Sequence, residues 1–152
     1  MLKYLIQKSE IGAGTRGSSL GPMAIRLAAA ADENPLFRNQ SVEEIPNENS
    51  ALFEVDSTPH AKRIDQVVKV YQQHSDVIYR NMDMGNTLVI LSADHASAGA
   101  TIAGIRMAHP EKRLGVIWID AHADLHSPFT TPSGNVHGMP LAISLAKDNL
   151  AM

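Results

Sequence analysis

An apolar run that ends in three regularly spaced polar residues constrains the fold of this chain most. Residues 114–119, Leu-Gly-Val-Ile-Trp-Ile, are almost continuously apolar and rich in β-branched side chains, which predicts a buried parallel strand. Asp120, His122 and Asp124 follow directly. Because side chains two residues apart in an extended chain share a face, these three groups are expected to converge. Open α/β sheets carry their sites at the carboxyl ends of strands, so a site is expected here.

The donor atoms of this run suit a hard divalent metal ion. Carboxylate oxygens with imidazole nitrogens favour Mn²⁺ or a similar ion, and the sequence has no cysteine for a thiolate site. The alternative is a polar strand end, in which the aspartates cap turns and the histidine is solvated. Three coordinating groups spaced two residues apart favour the metal site.

A second strand end carries another candidate ligand. Residues 87–91 are a short β-branched run, and Ser92-Ala93-Asp94-His95 follow it. A helix from Ala96 to about Ala108, rich in alanine and glycine, is expected to pack closely on the sheet. A lone histidine in such a place is usually structural, but the neighbouring aspartate–histidine motif favours His95 as a ligand.

Three motifs together resemble the arginases of the ureohydrolase superfamily. They are Ser-Ala-Asp-His at 92–95, Asp-Ala-His-Ala-Asp at 120–124 and Ser-Pro-Phe-Thr-Thr-Pro-Ser-Gly-Asn-Val-His-Gly at 127–138. Agmatinases and formiminoglutamases share the second motif but not the third, which is specific to arginases. Residues 12–22, Gly-Ala-Gly-Thr-Arg-Gly-Ser-Ser-Leu-Gly-Pro, also resemble the opening of bacterial arginases.

The resemblance implies an activity and a role for each motif residue. It implies hydrolysis of L-arginine to L-ornithine and urea by hydroxide held between two Mn²⁺ ions. The implied metal ligands are His95, Asp120, His122 and Asp124, of which Asp124 bridges the ions and is also catalytic. His137 matches the family's proton-shuttle histidine. Residues implied to hold the α-carboxylate and α-amino end of the substrate are His126, Thr131, Ser133 and Asn135.

The chain departs from the family pattern in three places. Ser92-Ala93 stand where the family usually has Gly-Gly, and His126 stands where it often has asparagine. An imidazole therefore replaces a carboxylate-binding amide. The Asp-x-Asp that supplies the family's remaining ligands is missing, since no two aspartates outside the 120–124 motif are spaced in that way. We therefore expect the chain to correspond to the N-terminal half of an arginase.

Alternation of strands and helices predicts one α/β domain over residues 1–152. We expect a three-layer α/β/α fold with a mostly parallel central sheet, incomplete at the C-terminal side. The expected strands are 3–6, 42–45, 87–91 and 114–119, the last two as parallel neighbours. The expected helices are 22–31, 59–84, 96–108 and 140–147.

The long helix carries the most detailed expectations. Thr58 is expected to cap its start, and Gly85 to follow its end. The face expected in the core consists of Ile64, Val67, Val68, Tyr71, Ile78 and Met82. His60, His74 and His109 are expected on helix or loop surfaces without a role.

Charge and composition exclude several classes of protein. A formal charge of −3 argues against non-specific nucleic-acid binding, and no apolar run approaches the length of a membrane span. The apolar stretch 2–6 is too short for a signal-peptide core, and the lack of cysteine fits a reducing compartment. We expect a cytoplasmic homo-oligomer that acts on a small molecule.

Three further functions compete with arginine hydrolysis. Residues 12–17, Gly-Ala-Gly-Thr-Arg-Gly, match a dinucleotide-binding pattern, but no acidic residue ends a second strand about twenty positions later. Glycines that shape a turn near the site are favoured over this nucleotide site. The second possibility is a noncatalytic fragment or assembly chain that keeps a partial metal site. The third is a ureohydrolase acting on another guanidino or amidino substrate.

Overall fold

The computed structural model describes residues 1–38 and 40–146. Within those residues, the strands are β1 (Leu2–Gln7), β2 (Val42–Ile45) and β3 (Thr87–Ser92). The helices are α1 (Gly21–Ala31), α2 (Ile64–Asp83), α3 (Ser97–Ala108) and α4 (Pro140–Ser144). No helix in these ranges is long and apolar enough to cross a membrane.

The sheet is parallel, with β1 between β2 and β3. Tyr4 in β1 lies opposite Val42 on one side and Val89 on the other. The chain passes from β1 through α1 to β2, and then through α2 to β3 on the far side of β1. The direction of winding therefore reverses between β1 and β3, which is where open α/β sheets form their ligand crevices.

Helices cover both faces of the sheet. Leu5 packs in one cluster with Val77 and Ile78 of α2, and Ile105 of α3 packs against the same cluster. Tyr4 points to the opposite face, where its ring lies 4.8 Å from that of Phe37, in the segment after α1. This is the expected three-layer α/β/α arrangement. The predicted strands at 3–6, 42–45 and 87–91, and the helices at 22–31 and 96–108, are present within one residue at each end.

Helix α2 begins five residues later than predicted, and Thr58 is not its cap. Instead, Asp56 Oδ1 accepts hydrogen bonds from the backbone N–H and hydroxyl of Thr58, both at 2.9 Å, and from the N–H of Arg63. Arg63 has φ +56°, a left-handed conformation that a helix cannot continue through. The other end is as predicted: Gly85 follows the helix with φ +74° and donates its N–H to Met82 O.

The buried face of α2 also differs from the expected one. Val67 and Ile78 are buried as predicted, but Val68 is 46% exposed. His74, expected on the surface, is completely buried. Thr101 of α3 lies against it, with 3.0 Å between the hydroxyl and His74 Nε2. Thr101 thus pairs with Nε2 of the buried imidazole, whereas Nδ1 has no hydrogen-bond partner among the described residues.

The prediction of a buried strand at 114–119, paired with β3, is wrong for this structure. The segment has no strand assignment, and Ile117 and Ile119 are 90% and 93% exposed. The segment forms no hydrogen-bonded ladder with the free edge of β3, because a groove lined by Ile90, Ser92 and residues 116–118 separates the two. Helix α4 is shorter than predicted, and Lys147, its expected end, lies outside the described residues.

Candidate metal centre

Three predicted ligands meet at the carboxyl edge of the sheet. His95 Nδ1 lies 3.2 Å from Asp120 Oδ2 and 3.0 Å from Asp124 Oδ2. One potential ligand atom from each residue lies within 4.8 Å of the other two. Two carboxylates and one imidazole at this separation can bind one divalent ion together.

Residues 114–119, which precede the motif, form no paired strand, so local contacts hold these side chains in place. His95 follows β3, and its ring stacks on Trp118 with centroids 4.8 Å apart and planes 14° apart. The backbone oxygen of Asp124 accepts hydrogen bonds from Leu141 and Ala142 at the start of α4, each at 3.2 Å. The motif is therefore fixed between the beginnings of α3 and α4.

The electrostatics of the cluster favour a cation. A hydrogen bond from the backbone N–H of His122 to Asp120 Oδ1, at 2.7 Å, lowers the pKa of Asp120, and His95 lowers it further. Asp124 is buried with φ +50°, and its Oδ2 receives no hydrogen bond. A buried carboxylate oxygen without a hydrogen bond needs a positive partner, which a metal ion supplies and which His95 Nδ1, 3.0 Å away, supplies only when protonated. The cluster thus fits a metal ion by donor type and by this unsatisfied oxygen.

His122, the fourth predicted ligand, lies on the outside of the cluster. Its Nδ1 is 3.3 Å from Asp120 Oδ1, and its side chain is 84% exposed. It is not part of the group formed by the other three residues. In this structure His122 therefore neighbours one ligand rather than completing the set.

Asp94 is an important residue of the site to which the sequence pattern assigned no role. Its buried carboxylate accepts hydrogen bonds from the N–H groups of Gly12 and Ala96, both at 2.9 Å, and from Ala13 at 3.4 Å. Burial raises the pKa of Asp94, and these hydrogen bonds oppose the rise. The sequence signal that could have identified Asp94 is its position shortly after β3 and directly before His95.

The same contacts argue against dinucleotide binding by residues 12–17. A phosphate-binding loop presents free backbone N–H groups to its ligand. Here the N–H groups of Gly12 and Ala13 face Asp94, and those of Gly17 and Ser19 each donate to Glu10 Oε1 at 2.7 Å. A Cβ at Gly12 would clash with Ala96, so this glycine permits close packing of two turns.

A cavity of about 560 Å³ opens beside the cluster. Eight of the nine predicted site residues line it, and Asp120 is the exception. Thr131 Oγ1 accepts from Gly134 N at 3.0 Å, and Ser133 Oγ accepts from Asn135 N at 3.2 Å. Each hydroxyl still carries its own proton, which it can donate to an anionic group in the cavity.

Two residues of the cavity wall are tied to the turn after β1. Asn135 Nδ2 donates to Ala13 O at 2.9 Å, and His137 N donates to Gly12 O at 3.1 Å. His126, on another part of the wall, places Nδ1 3.3 Å from the hydroxyl of Thr130. His126 and His137 both line the cavity that also borders His95 and Asp124.

Comparisons with known proteins give a consistent result. A model of the arginase family matches residues 6–151. The arginase of Brevibacillus brevis is 37% identical over 142 residues, which are 90% of this chain and 45% of that protein. The solved arginase of Bacillus caldovelox superposes with a TM-score of 0.77 at 29% identity, covering 93% of this chain and 47% of that one.

An arginase from Entamoeba histolytica, solved in complex with L-ornithine, gives a TM-score of 0.78 at 29% identity. It too is matched over 93% of this chain and 47% of its own. The chain therefore spans about half the length of the relatives it matches.

Proposed function

Because this chain belongs to the arginase family, we propose that the protein containing it hydrolyses L-arginine to L-ornithine and urea with Mn²⁺. The observation that carries the proposal is the meeting of His95, Asp120 and Asp124 beside a polar cavity. Family membership alone leaves the chemistry open, and the proposal is supported by a group of potential metal ligands that lies beside a polar cavity.

The metal centre would be held by His95, Asp120 and Asp124, with His122 as the fourth proposed ligand. When bound, manganese supplies the positive charge that lowers the pKa of a water molecule, so that a poor electrophile is hydrolysed near neutral pH. Asp124, whose Oδ2 receives no hydrogen bond, would be one of the carboxylate ligands of this centre. The number of ions, two, is also part of the proposal.

The cavity wall would bind the amino-acid end of arginine. The hydroxyls of Thr131 and Ser133 donate to the α-carboxylate, directly or through water. Asn135 Nδ2 donates to Ala13 O. The Oδ1 atom of Asn135 would therefore accept a hydrogen bond from the α-ammonium group of the substrate. His126 adds an imidazole N–H where the family often has an amide. His137 would carry a proton between the cavity and solvent.

For this chain alone, we propose weak Mn²⁺ binding and little or no arginase activity. Three ligands converge in this chain. Other groups would therefore have to fill most of the coordination positions of a two-ion centre. A chain that only keeps a partial site is the second candidate, and it is supported by coverage of about half of each relative. We also propose a homo-oligomeric, cytoplasmic enzyme.

Urea release with saturating Mn²⁺ tests the proposal. The complete protein should hydrolyse L-arginine with a kcat/KM at least about 10³-fold above that for agmatine, because agmatine leaves the polar cavity wall unpaired. His137→Ala should lower kcat while Mn²⁺ affinity changes little. Equal kcat/KM values for the two substrates would contradict the assignment. Comparable rates for residues 1–152 and the complete protein would contradict the proposed inactivity of this chain.

A further inference from the structure

Arg63, the residue before α2, has an unfavourable backbone conformation. Its φ of +56° is left-handed, which strains the backbone of a residue with a side chain. Two hydrogen bonds hold it there: Asp56 Oδ1 accepts its N–H at 3.3 Å, and its carbonyl oxygen accepts from Val67 N at 2.9 Å. The turn therefore fixes the direction in which the Arg63 side chain leaves the backbone.

The turn before α2 packs against the cavity wall. Lys62 N donates to Gly134 O at 2.8 Å. Gly134 lies between Ser133 and Asn135, two residues that line the cavity. Arg63 is thus one residue away from a direct backbone contact with the wall, although it does not line the cavity itself.

The guanidinium group of Arg63 and the amide of Asn135 lie beside the same open position. A Cβ at Gly14 would be 3.5 Å from Arg63 Nη1 and 3.1 Å from Asn135 Oδ1. Because Gly14 has no Cβ and is exposed, that position is open to a ligand. Asn135 Nδ2 donates to Ala13 O, so Oδ1 is the atom of this amide that can accept. A cationic donor and an acceptor are therefore neighbours here.

The guanidinium group keeps donors for a ligand. Its Nε donates to Ala51 O at 3.3 Å. Within residues 1–38 and 40–146, its terminal nitrogens donate no hydrogen bond and it forms no ion pair. Asp56 interacts with it only electrostatically, beyond ion-pair distance. A half-buried guanidinium group with free terminal N–H groups is suited to bind a carboxylate.

We propose that Arg63 is a specificity-determining residue, which binds the α-carboxylate of the substrate while Asn135 Oδ1 accepts from the α-ammonium group. The inference rests on the proposed function and adds a residue outside the three sequence motifs. An α-amino acid carries both charged groups on one carbon atom, so it fits a cation and an acceptor that lie beside one open position. The substrate is therefore an amino acid bound as its zwitterion.

The same cation disfavours an analogue that lacks the carboxylate. Agmatine and putrescine, the decarboxylated forms of arginine and ornithine, keep the amine alone. Their ammonium group would lie beside the Arg63 guanidinium with no anion between them, and like charges repel. Arg63 thus increases selectivity both by attracting the amino acid and by repelling the amine.

Titration calorimetry with two ligands tests this without turnover. The complete protein with Mn²⁺ is titrated with L-ornithine and with putrescine, which differ only in the carboxylate. Arg63→Asn removes the cation, and asparagine tolerates a left-handed φ. This variant should weaken L-ornithine binding by about tenfold, in the range of a hydrogen bond to a charged group, without weakening the binding of putrescine.

Two further variants separate charge from structure. Arg63→Lys also loses the hydrogen bond to Ala51 O, but it keeps a cation, so its affinity for L-ornithine should stay within about threefold of the wild type. Arg80→Gln removes the same group from the exposed last turn of α2 and should change neither affinity.

Three results would overturn the proposal. The first is unchanged L-ornithine affinity in Arg63→Asn. The second is equal weakening by Arg63→Asn and Arg63→Lys, which would make the hydrogen bond to Ala51 O, and not the charge, responsible. The third is equal weakening of L-ornithine and putrescine binding, which would exclude the carboxylate as the partner of Arg63. L-ornithine binding that depends on Arg63, in a protein that releases no urea from L-arginine, would contradict only the proposed function.

Discussion

The carboxylate of Asp94 accepts the backbone N–H of Gly12 at 2.9 Å, across 82 positions of sequence. Gly12 in turn accepts the N–H of His137 on its carbonyl oxygen. Three segments of the site are therefore connected through two hydrogen bonds: the turn before His95, the turn after β1 and the cavity wall. We infer that Asp94 positions groups of the site without lining the cavity itself.

Asp94→Asn should loosen this connection. Both carboxylate oxygens accept from backbone N–H groups, Oδ2 from Gly12 and Oδ1 from Ala96. An amide has only one oxygen, so its NH₂ group must face one of these donors. We expect a loss of about 2 kcal/mol in the free energy of unfolding, measured by urea denaturation. Asp76→Asn, on the exposed side of α2, is the control and should change it by less than about 0.5 kcal/mol.

Burial of His74 should make stability depend on pH. Burial lowers its pKa to about 4, from an ordinary value of 6.5, so the folded state keeps the ring neutral. The unfolded chain takes up a proton below about pH 6.5, which favours unfolding. Between pH 7.5 and 5.0 the group should therefore reduce the free energy of unfolding by about 2 kcal/mol.

Urea denaturation of the wild type and of His74→Leu at both pH values isolates this contribution. The variant should lose less stability than the wild type on going to pH 5.0, because it lacks the titrating ring. Other groups titrate equally in both proteins and cancel in the comparison. The same pH dependence in the two proteins would show that His74 is not the cause.

The sequence predicted those parts of the fold whose partners lie within the described residues. β1 pairs with both β2 and β3, so the apolar patterns of all three correspond to real strands. Residues 114–119 have an equally strong pattern but form no ladder with the free edge of β3, because an apolar pattern does not determine which segments pair. The start of α2 was mispredicted because Asp56 and the left-handed Arg63 favour a turn over a helix.

The candidate site was predicted because its residues follow strand-like runs in the sequence. The spacing of those residues predicted only part of their arrangement. His95 and the 120–124 motif were expected together because each follows a strand-like run, and three of their side chains do meet. The outward position of His122 and the link between Asp94 and Gly12 depend on loop conformation. Residues far apart in sequence, joined through backbone N–H groups, leave no periodic signal.

Gly134→Ala should destabilise the cavity wall. Gly134 has φ +75°, and a Cβ there would clash with the backbone oxygen of Pro59. Its own carbonyl accepts from Lys62 N at 2.8 Å, so moving the loop away would break that hydrogen bond. We expect a loss of about 3 kcal/mol in urea denaturation. Gly21→Ala, with negative φ and open space around the Cβ position, should be nearly neutral, and a similar loss in both variants would contradict this explanation.

The two histidines of the metal centre should differ in their effect on Mn²⁺ binding by this chain. His95 contacts both Asp120 and Asp124, whereas His122 lies beside Asp120 alone and is largely exposed. His95→Ala should therefore weaken Mn²⁺ binding by about tenfold or more, as expected when a metal ligand, or a residue that orients one, is removed. His122→Ala should weaken it by no more than about threefold.

Titration calorimetry of residues 1–152 with Mn²⁺ measures both variants under one condition. His60→Ala, an exposed histidine outside the site, controls for non-specific metal binding and should match the wild type. Equal losses in His95→Ala and His122→Ala would mean that His122 turns inward when metal binds. The larger loss in His122→Ala would contradict the ligand set formed by His95, Asp120 and Asp124, because that set does not include His122.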